Sequence, residues 1–140
     1  MHWLHRVSQC ATEMFQRELA DSDLTPRQLA VMIAVAESEG LSQAAIVERT
    51  GIDRSTLSDI VRRLQKRGWL QRRRTKEDGR AYAVKLTDKG HGLLRKATPL
   101  VRKVDAQILA AMPVGGGDQF MGGLTTIVTK LERNEKARTN

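Results

Sequence analysis

The sequence predicts a mainly α-helical protein with one two-stranded β-hairpin, on three observations. Apolar residues recur at three- and four-residue spacing through most of the chain, which is the period of amphipathic helices. Only two short runs, residues 69–75 and 81–86, have the composition of strands, and the polar residues between them include a glycine. The net charge of +8 over 140 residues is concentrated in the middle of the chain.

The N-terminal part of the chain predicts two helices. An apolar stripe predicts an amphipathic helix over about residues 3–20, which the polar residues 21–23 end. Thr25 and Pro26 are typical of an N-cap and the first helical residue, so a second helix begins there and extends to about Glu37. This second helix is apolar on nearly all sides, and we therefore expect it to be central and buried.

Two shorter helices follow, joined by a tight glycine turn. Ser42 is expected to cap the first, which ends near Thr50. After Gly51, Asp53 caps the next helix, over about residues 54–67, and Gly68 stands in the left-handed position that commonly ends a helix. Two helices joined in this way are typical of a helix-turn-helix.

The chain after the hairpin predicts two more helices. Thr87 is expected to cap a long helix over about residues 88–112, which Pro99 should interrupt and kink. Five of the eleven glycines lie in residues 115–123, so the last helix should begin weakly. An apolar stripe still extends through it from Phe120 onwards.

Composition argues against several classes of protein. The longest uncharged apolar stretch has eight residues, 29–36, whereas a membrane helix needs about 20. Four charges in the first twenty residues argue against a signal peptide. The single cysteine, Cys10, excludes an internal disulfide and fits a reducing cytoplasm. Hydrolase, P-loop and zinc-protease motifs are missing, so we expect no enzyme, no cofactor and no metal.

The positive charge is focused on the second helix of the helix-turn-helix and on the hairpin. Residues 1–53 carry four Lys/Arg and eight Asp/Glu, residues 54–80 carry ten and three, and residues 81–140 carry ten and five. A basic patch of this kind is typical of a protein that binds nucleic acid, with an anionic membrane surface as the second partner to consider. A solvated charged face remains the structural alternative.

The helix over residues 54–67 has a polar face opposite Leu57, Ile60, Val61 and Leu64. Short side chains at the start of this helix would allow close approach to the edges of DNA bases. Lysine and arginine side chains near its end would contact phosphates. Arg54 is the candidate for a bidentate base contact; the alternative for the basic end is complementation of the helix dipole. The predicted DNA contacts of this helix are Arg54, Ser55, Thr56, Ser58, Asp59, Arg62, Arg63 and Lys66.

The hairpin carries the second group of basic residues. A narrow basic tip fits the minor groove of DNA, where the negative potential attracts an inserted arginine. Asp78 could hold such an arginine in one rotamer, or it could be a turn residue that bonds its own backbone. The predicted contacts of the hairpin are Arg73, Arg74, Lys76, Asp78 and Arg80.

Several motifs together make residues 24–92 resemble the MarR family of bacterial winged-helix transcriptional regulators. They are Thr25-Pro-Arg-Gln-Leu, Leu41-Ser-Gln, Gly51-Ile-Asp-Arg-Ser-Thr-Leu-Ser, Asp78-Gly-Arg80 and Leu86-Thr-Asp-Lys-Gly90. The resemblance implies a winged helix-turn-helix over residues 23–87, flanked by a helical dimerisation region of residues 1–22 and 88–140. It further implies a homodimer on a palindromic operator in double-stranded DNA, with Arg80 in the minor groove and Asp78 bracing the wing.

The same resemblance implies release from DNA when a small ligand or an oxidant is sensed. An aromatic acid or its CoA thioester is the candidate effector, in a pocket between the dimerisation helices and the winged module. The candidate ligand-binding residues are Trp3, His5, Arg6, Cys10, Met14, Met32, His91 and Arg95. For Trp3, Met14 and Met32 the alternative is a place in the core. A ligand-responsive repressor is the leading hypothesis; the alternatives are a constitutive or architectural DNA-binding protein and a redox-responsive regulator that uses Cys10.

Overall fold

The computed structural model describes residues 1–38, 40–74 and 82–139, and it confirms the predicted mainly α-helical class with one hairpin. In chain order the elements are α1 (His2–Glu18), a 3-10 turn (Ala20–Ser22), α2 (Pro26–Glu37), α3 (Gln43–Thr50), α4 (Arg54–Lys66), β1 (Leu70–Arg74), β2 (Tyr82–Leu86), α5 (Asp88–Ala110) and α6 (Gly116–Thr139). The chain forms two compact units, Met1–Arg102 and Lys103–Asn140.

Helices α2 and α3 begin where the sequence predicts, because local side chains cap them. The Thr25 hydroxyl accepts from the backbone N–H of Gln28, and the Gln28 side chain accepts from the Thr25 N–H, which forms a capping box at the start of α2. Ser42 caps α3 by accepting from the N–H of Ala45 at 3.2 Å. Gly51 ends α3 with a φ of 64°, a conformation that glycine adopts without strain.

The hairpin is an antiparallel pair in register from Leu70 opposite Leu86 to Arg74 opposite Tyr82. Val84 also donates its N–H to the carbonyl of Leu41, at 2.9 Å, so the segment before α3 adds a short bridge to the hairpin. The hairpin is therefore attached to the start of the helix-turn-helix as well as to the end of α4.

The core of the first unit is centred on α2, as predicted. Val31, Met32 and Val35 of α2 are fully buried, as are Val61 and Leu64 of α4. The cluster extends to Phe15 and Leu19 at the end of α1, to Trp69, Leu70, Val84 and Leu86 of the hairpin region, and to Leu94 and Ala97 of α5.

The start of α5 lies very close to the start of the hairpin. Thr87 donates its N–H to the carbonyl of Trp69, at 3.1 Å, and its hydroxyl accepts from the N–H of Gly90 as an N-cap. A Cβ at Gly90 would lie 2.2 Å from the Trp69 carbonyl oxygen. The close approach of helix to strand therefore requires glycine at this position. Pro99 lies inside α5, which continues through it as the single long helix that the sequence predicts. The kink at Pro99 stays a prediction.

The second unit contains the end of α5 and the whole of α6. Val104 is the one buried residue among its described residues. Of the apolar stripe of α6, Phe120 and Leu124 are half-buried, while Ile127 and Leu131 are exposed. Taken by itself, this unit has almost no core.

Candidate DNA-binding surface

Helix α4 presents the polar face that its sequence predicts. Leu57, Ile60, Val61 and Leu64 point into the core. On the other side, Thr56 and Ser58 are half-buried, while the remaining six predicted contacts are exposed; these are Arg54, Ser55, Asp59, Arg62, Arg63 and Lys66. The structure thus brings all eight predicted residues of α4 onto one surface that solvent reaches.

A network of short hydrogen bonds surrounds the N-terminus of α4. Asp53 accepts from the N–H of Thr56 at 2.9 Å and from the hydroxyl of Ser55 at 2.6 Å. The hydroxyl of Ser55, followed by the hydroxyl and N–H of Thr56, lowers the pKa of Asp53 far below its ordinary value. The carboxylate therefore stays ionised. Because Ser55 donates its proton to Asp53, its oxygen is left as an acceptor towards solvent, a feature that the capping prediction alone did not include.

The cations on α4 are not equivalent. Arg62 forms an ion pair with Asp59 one helical turn earlier, at 2.7 Å, and both side chains are exposed. Within the described part of the chain, Arg54, Arg63 and Lys66 form no ion pair. These three side chains are the ones most available to an external anion.

Arg67, the residue that ends α4, turns away from the exposed face. Its guanidinium donates to the backbone carbonyl of Asp23 at 2.8 Å and to the Asp23 carboxylate, and it lies 4.9 Å from the centre of the Trp69 ring. The Arg67 carbonyl in turn accepts from the ammonium of Lys89 at 3.0 Å. Asp23 is 44 residues away in sequence, so no local pattern could have identified this partner.

Strand β1 contributes further exposed arginines in the same unit of the protein as α4. Arg72 and Arg73 are exposed, opposite Val84 and Ala83 of β2. Arg74 ends β1. Its side chain, together with Lys76, Asp78 and Arg80 at the predicted tip, lies outside the described residues.

The eight predicted ligand residues differ widely in how exposed they are. Trp3, His5, Arg6, Cys10 and Arg95 are exposed, Met14 and His91 are half-buried, and Met32 is fully buried in the core. The first unit does contain a cavity of about 390 Å³ between the end of α1, the 3-10 turn and α5. Its lining residues are Glu18, Leu19, Asp21, Ser22, Leu93, Lys96, Ala97 and Leu100. The predicted ligand residues lie partly on the same helices, α1 and α5, but at other positions.

Two further findings concern the described residues only. No three His, Cys, Asp or Glu side chains among residues 1–38, 40–74 and 82–139 lie together as metal ligands would. In the same ranges no helix has the length and apolar composition needed to cross a bilayer.

Comparison with known proteins agrees with this architecture. A model of the MarR family matches residues 22–81. The transcriptional regulator HosA of Escherichia coli is 33% identical over 120 residues, which cover 86% of this chain and 87% of HosA. The structure of Bordetella bronchiseptica BpsR, whose DNA binding is regulated by 6-hydroxynicotinic acid, superposes with a TM-score of 0.85 at 25% identity over 91% of both chains.

A structure of the transcriptional repressor CouR bound to a 23-mer DNA duplex is also similar, with a TM-score of 0.83 at 28% identity over 89% of both chains. The similarity to HosA extends well beyond the winged module, into both flanking helical regions. The chain therefore belongs to the MarR family, and it is a transcriptional regulator with a DNA-binding winged helix rather than an enzyme.

Proposed function

We propose that this protein is a repressor that binds a palindromic operator as a homodimer in the cytoplasm and is released by a small aromatic acid. The observation that carries the proposal is the exposed face of α4, with three cations that have no ion pair among the described residues. This face fits the major groove, where short hydroxyl side chains approach bases and cations contact phosphates. The DNA-bound structure of CouR supports the proposal by similarity.

The proposed DNA contacts divide into two groups. Arg54 and Ser55, at the N-terminal end of α4, would read base edges, and Arg63 and Lys66 would neutralise phosphates. The hairpin would enter the adjacent minor groove with Arg73, Arg74, Lys76, Asp78 and Arg80, of which Arg80 would insert most deeply. If each subunit neutralises about five phosphates, the logarithm of affinity should fall with the logarithm of salt concentration at a slope of about −9.

Exposed apolar side chains support the proposed dimer. Trp3 of α1 is 77% exposed, with Leu4 and Val7 on the same helix, and α6 exposes Ile127 and Leu131. Stable monomeric proteins rarely leave apolar residues exposed along whole helices. A second copy of the chain would cover these faces, and two copies would present two α4 helices to a palindrome.

DNA recognition is tested by letting the wild-type protein select a preferred sequence from a pool of random duplexes. Arg54→Ala should weaken binding to the selected duplex by about 1–3 kcal/mol, because it removes the preference for one base pair in each half-site. Binding to an unrelated duplex should change little. Arg17→Ala removes the same charge from an exposed position on α1 and serves as the control. An equal loss on both duplexes would make Arg54 a phosphate contact, and a protein that selects no sequence at all would refute the proposal.

The proposed effector is an aromatic acid, which is supported by the action of 6-hydroxynicotinic acid on BpsR. The cavity beside α5 has a volume typical of ligand sites. Leucines, the carboxylates of Glu18 and Asp21 and the ammonium of Lys96 line it, and Lys96 would pair with the carboxylate of the acid. Arg6 and Arg95 are the cations that the sequence proposes instead.

Thermal unfolding with and without 6-hydroxynicotinic acid tests for a site of this class. A ligand at one hundred times its Kd should stabilise the protein by about 2.7 kcal/mol and weaken operator binding. Comparing Lys96→Gln, Arg6→Gln and Arg95→Gln identifies the carboxylate partner. If millimolar aromatic acids do not affect the wild-type protein, a constitutive DNA-binding protein is favoured. If oxidation instead releases DNA from the wild-type protein but not from Cys10→Ser, a redox-responsive regulator is favoured.

A further inference from the structure

The end of α4 is held by three other elements of the first unit. Arg67 donates to the backbone and carboxylate of Asp23, which lies between the 3-10 turn and α2. Its guanidinium packs against Trp69, at the start of the hairpin, and its carbonyl accepts from Lys89, in the first turn of α5. These contacts join the end of α4 to the segment before α2, to the hairpin and to α5, away from the exposed face of α4.

A small rotation of α4 about this end would move the other end of the helix. The thirteen residues of α4 extend over about 20 Å, so a tilt of about 3° at Arg67 would displace Arg54 and Ser55 by about 1 Å. Hydrogen bonds to base edges tolerate only a few tenths of an ångström. Non-specific contacts to phosphates by long, exposed side chains tolerate much more.

We propose that Arg67 and Asp23 are a positioning pair for DNA recognition: by fixing the end of α4 against the start of α2, they set the angle at which the residues of α4 meet the bases. The proposal rests on the DNA-binding function proposed above and adds an acidic residue outside the DNA-facing surface to the residues on which specificity depends. Arg67, although it ends the most basic helix of the chain, acts through its partner rather than by contacting phosphate.

The sign of one effect separates this proposal from simple electrostatics. Removing a negative charge from a DNA-binding protein should strengthen its binding to DNA. Loss of the positioning pair should instead weaken binding to the selected sequence and leave binding to an unrelated duplex unchanged or slightly tighter. For Asp23→Asn, simple electrostatics therefore predicts tighter binding to the selected duplex, whereas loss of the positioning pair predicts weaker binding.

Asp23→Asn is also a mild change for the fold. Asp23 has a φ of 49°, and it is the one non-glycine residue with positive φ in the described ranges. Asparagine tolerates that conformation better than other residues with a Cβ. The Asp23 side chain is 84% exposed, and exposed ion pairs contribute little to stability, so the melting temperature should hardly change.

The experiment compares Asp23→Asn with Glu37→Gln, which removes one negative charge from an exposed residue at the end of α2 that forms no ion pair with any described residue. The probes are the duplex selected by wild-type protein and an unrelated duplex of the same length. The ratio of the two affinities should fall about fivefold or more in Asp23→Asn and stay constant in Glu37→Gln. Arg67→Lys, which keeps the charge but loses the planar fork, should also lower the ratio.

Combining the two changes sharpens the test. Asp23→Asn with Arg67→Lys should lower the ratio no further than the stronger single variant, because both disrupt the same contact. An affinity ratio in Asp23→Asn equal to or above that of Glu37→Gln, or fully additive effects in the double variant, would overturn the positioning role. If wild-type protein does not distinguish the two duplexes, the DNA-binding function itself fails, which is a separate outcome.

Discussion

The winged module and the terminal helices differ in how completely they bury their apolar side chains. In the winged module the core residues of α2 and α4 are buried. Its helices α2, α3 and α4 have side-chain N-caps, which are Thr25, Ser42 and Asp53. At the N-terminus, α1 begins at His2 with no side-chain cap, and residues 1–10 are all exposed. Along α6 the large apolar side chains are mostly exposed as well.

This difference indicates which parts of the chain fold on their own contacts. The winged module has enough internal packing to define its structure, whereas most of α6 and the first half of α1 gain little from the rest of a single chain. Amphipathic helices obtain most of their stability from tertiary packing of the apolar face. Under the proposed dimer, the stability of the terminal helices would therefore depend on protein concentration, and that of the winged-module core would not.

The largest expected effect comes from a matched pair of leucines. Leu64 of α4 is fully buried and Leu131 of α6 is 60% exposed. Leu64→Ala should lower the free energy of unfolding by about 2–5 kcal/mol at every protein concentration, because it leaves a cavity in a rigid core. Leu131→Ala should instead shift the monomer–dimer equilibrium towards monomer in analytical ultracentrifugation. Equal, concentration-independent losses in both variants would abolish the distinction between the two regions.

A pair of glycines tests the same comparison at the backbone. Gly90→Ala should cost about 3 kcal/mol, because the new Cβ would meet the Trp69 carbonyl, which cannot move without shifting the hairpin. Gly122 of α6 has nothing within 4 Å of its Cβ position, so Gly122→Ala should stabilise the helix by up to about 1 kcal/mol. Urea unfolding measures both. Loss of dimer in Gly122→Ala would instead indicate that the partner's α6 packs directly on this position.

Local signals account for what the sequence predicted well. The starts of α2, α3 and α4 follow from a capping residue next to an apolar periodic segment, and the turn between α3 and α4 follows from a glycine in the left-handed conformation. The polar face of α4 follows from helical periodicity alone. These features require no knowledge of which segments meet in space.

Features that depend on distant segments were not predictable in the same way. The partner of Arg67 is 44 residues away, and the need for glycine at position 90 arises only because α5 approaches Trp69. The cavity beside α5 has lining residues from three separate elements. The sequence does not distinguish Arg67 from the other cations at the end of α4, since charge and spacing do not reveal which of several cations already has a partner.

The smallest expected effect concerns the charged cap of α4, which has no counterpart at the start of α1. Because its folded-state pKa lies below the ordinary 3.8, Asp53 is ionised in both the folded and the unfolded chain at neutral pH, and its contribution is fully present there. As pH falls below that ordinary value, the unfolded chain takes up the proton first and the contribution declines. Asp53→Asn keeps a capping oxygen without the charge. The stability difference between wild type and Asp53→Asn should thus be constant from about pH 5 to 8 and decrease only in more acidic solution. If the stability difference changed within the neutral range, another titrating group would act on the cap. The charge on Asp53 would then not explain why the start of α4 is well formed.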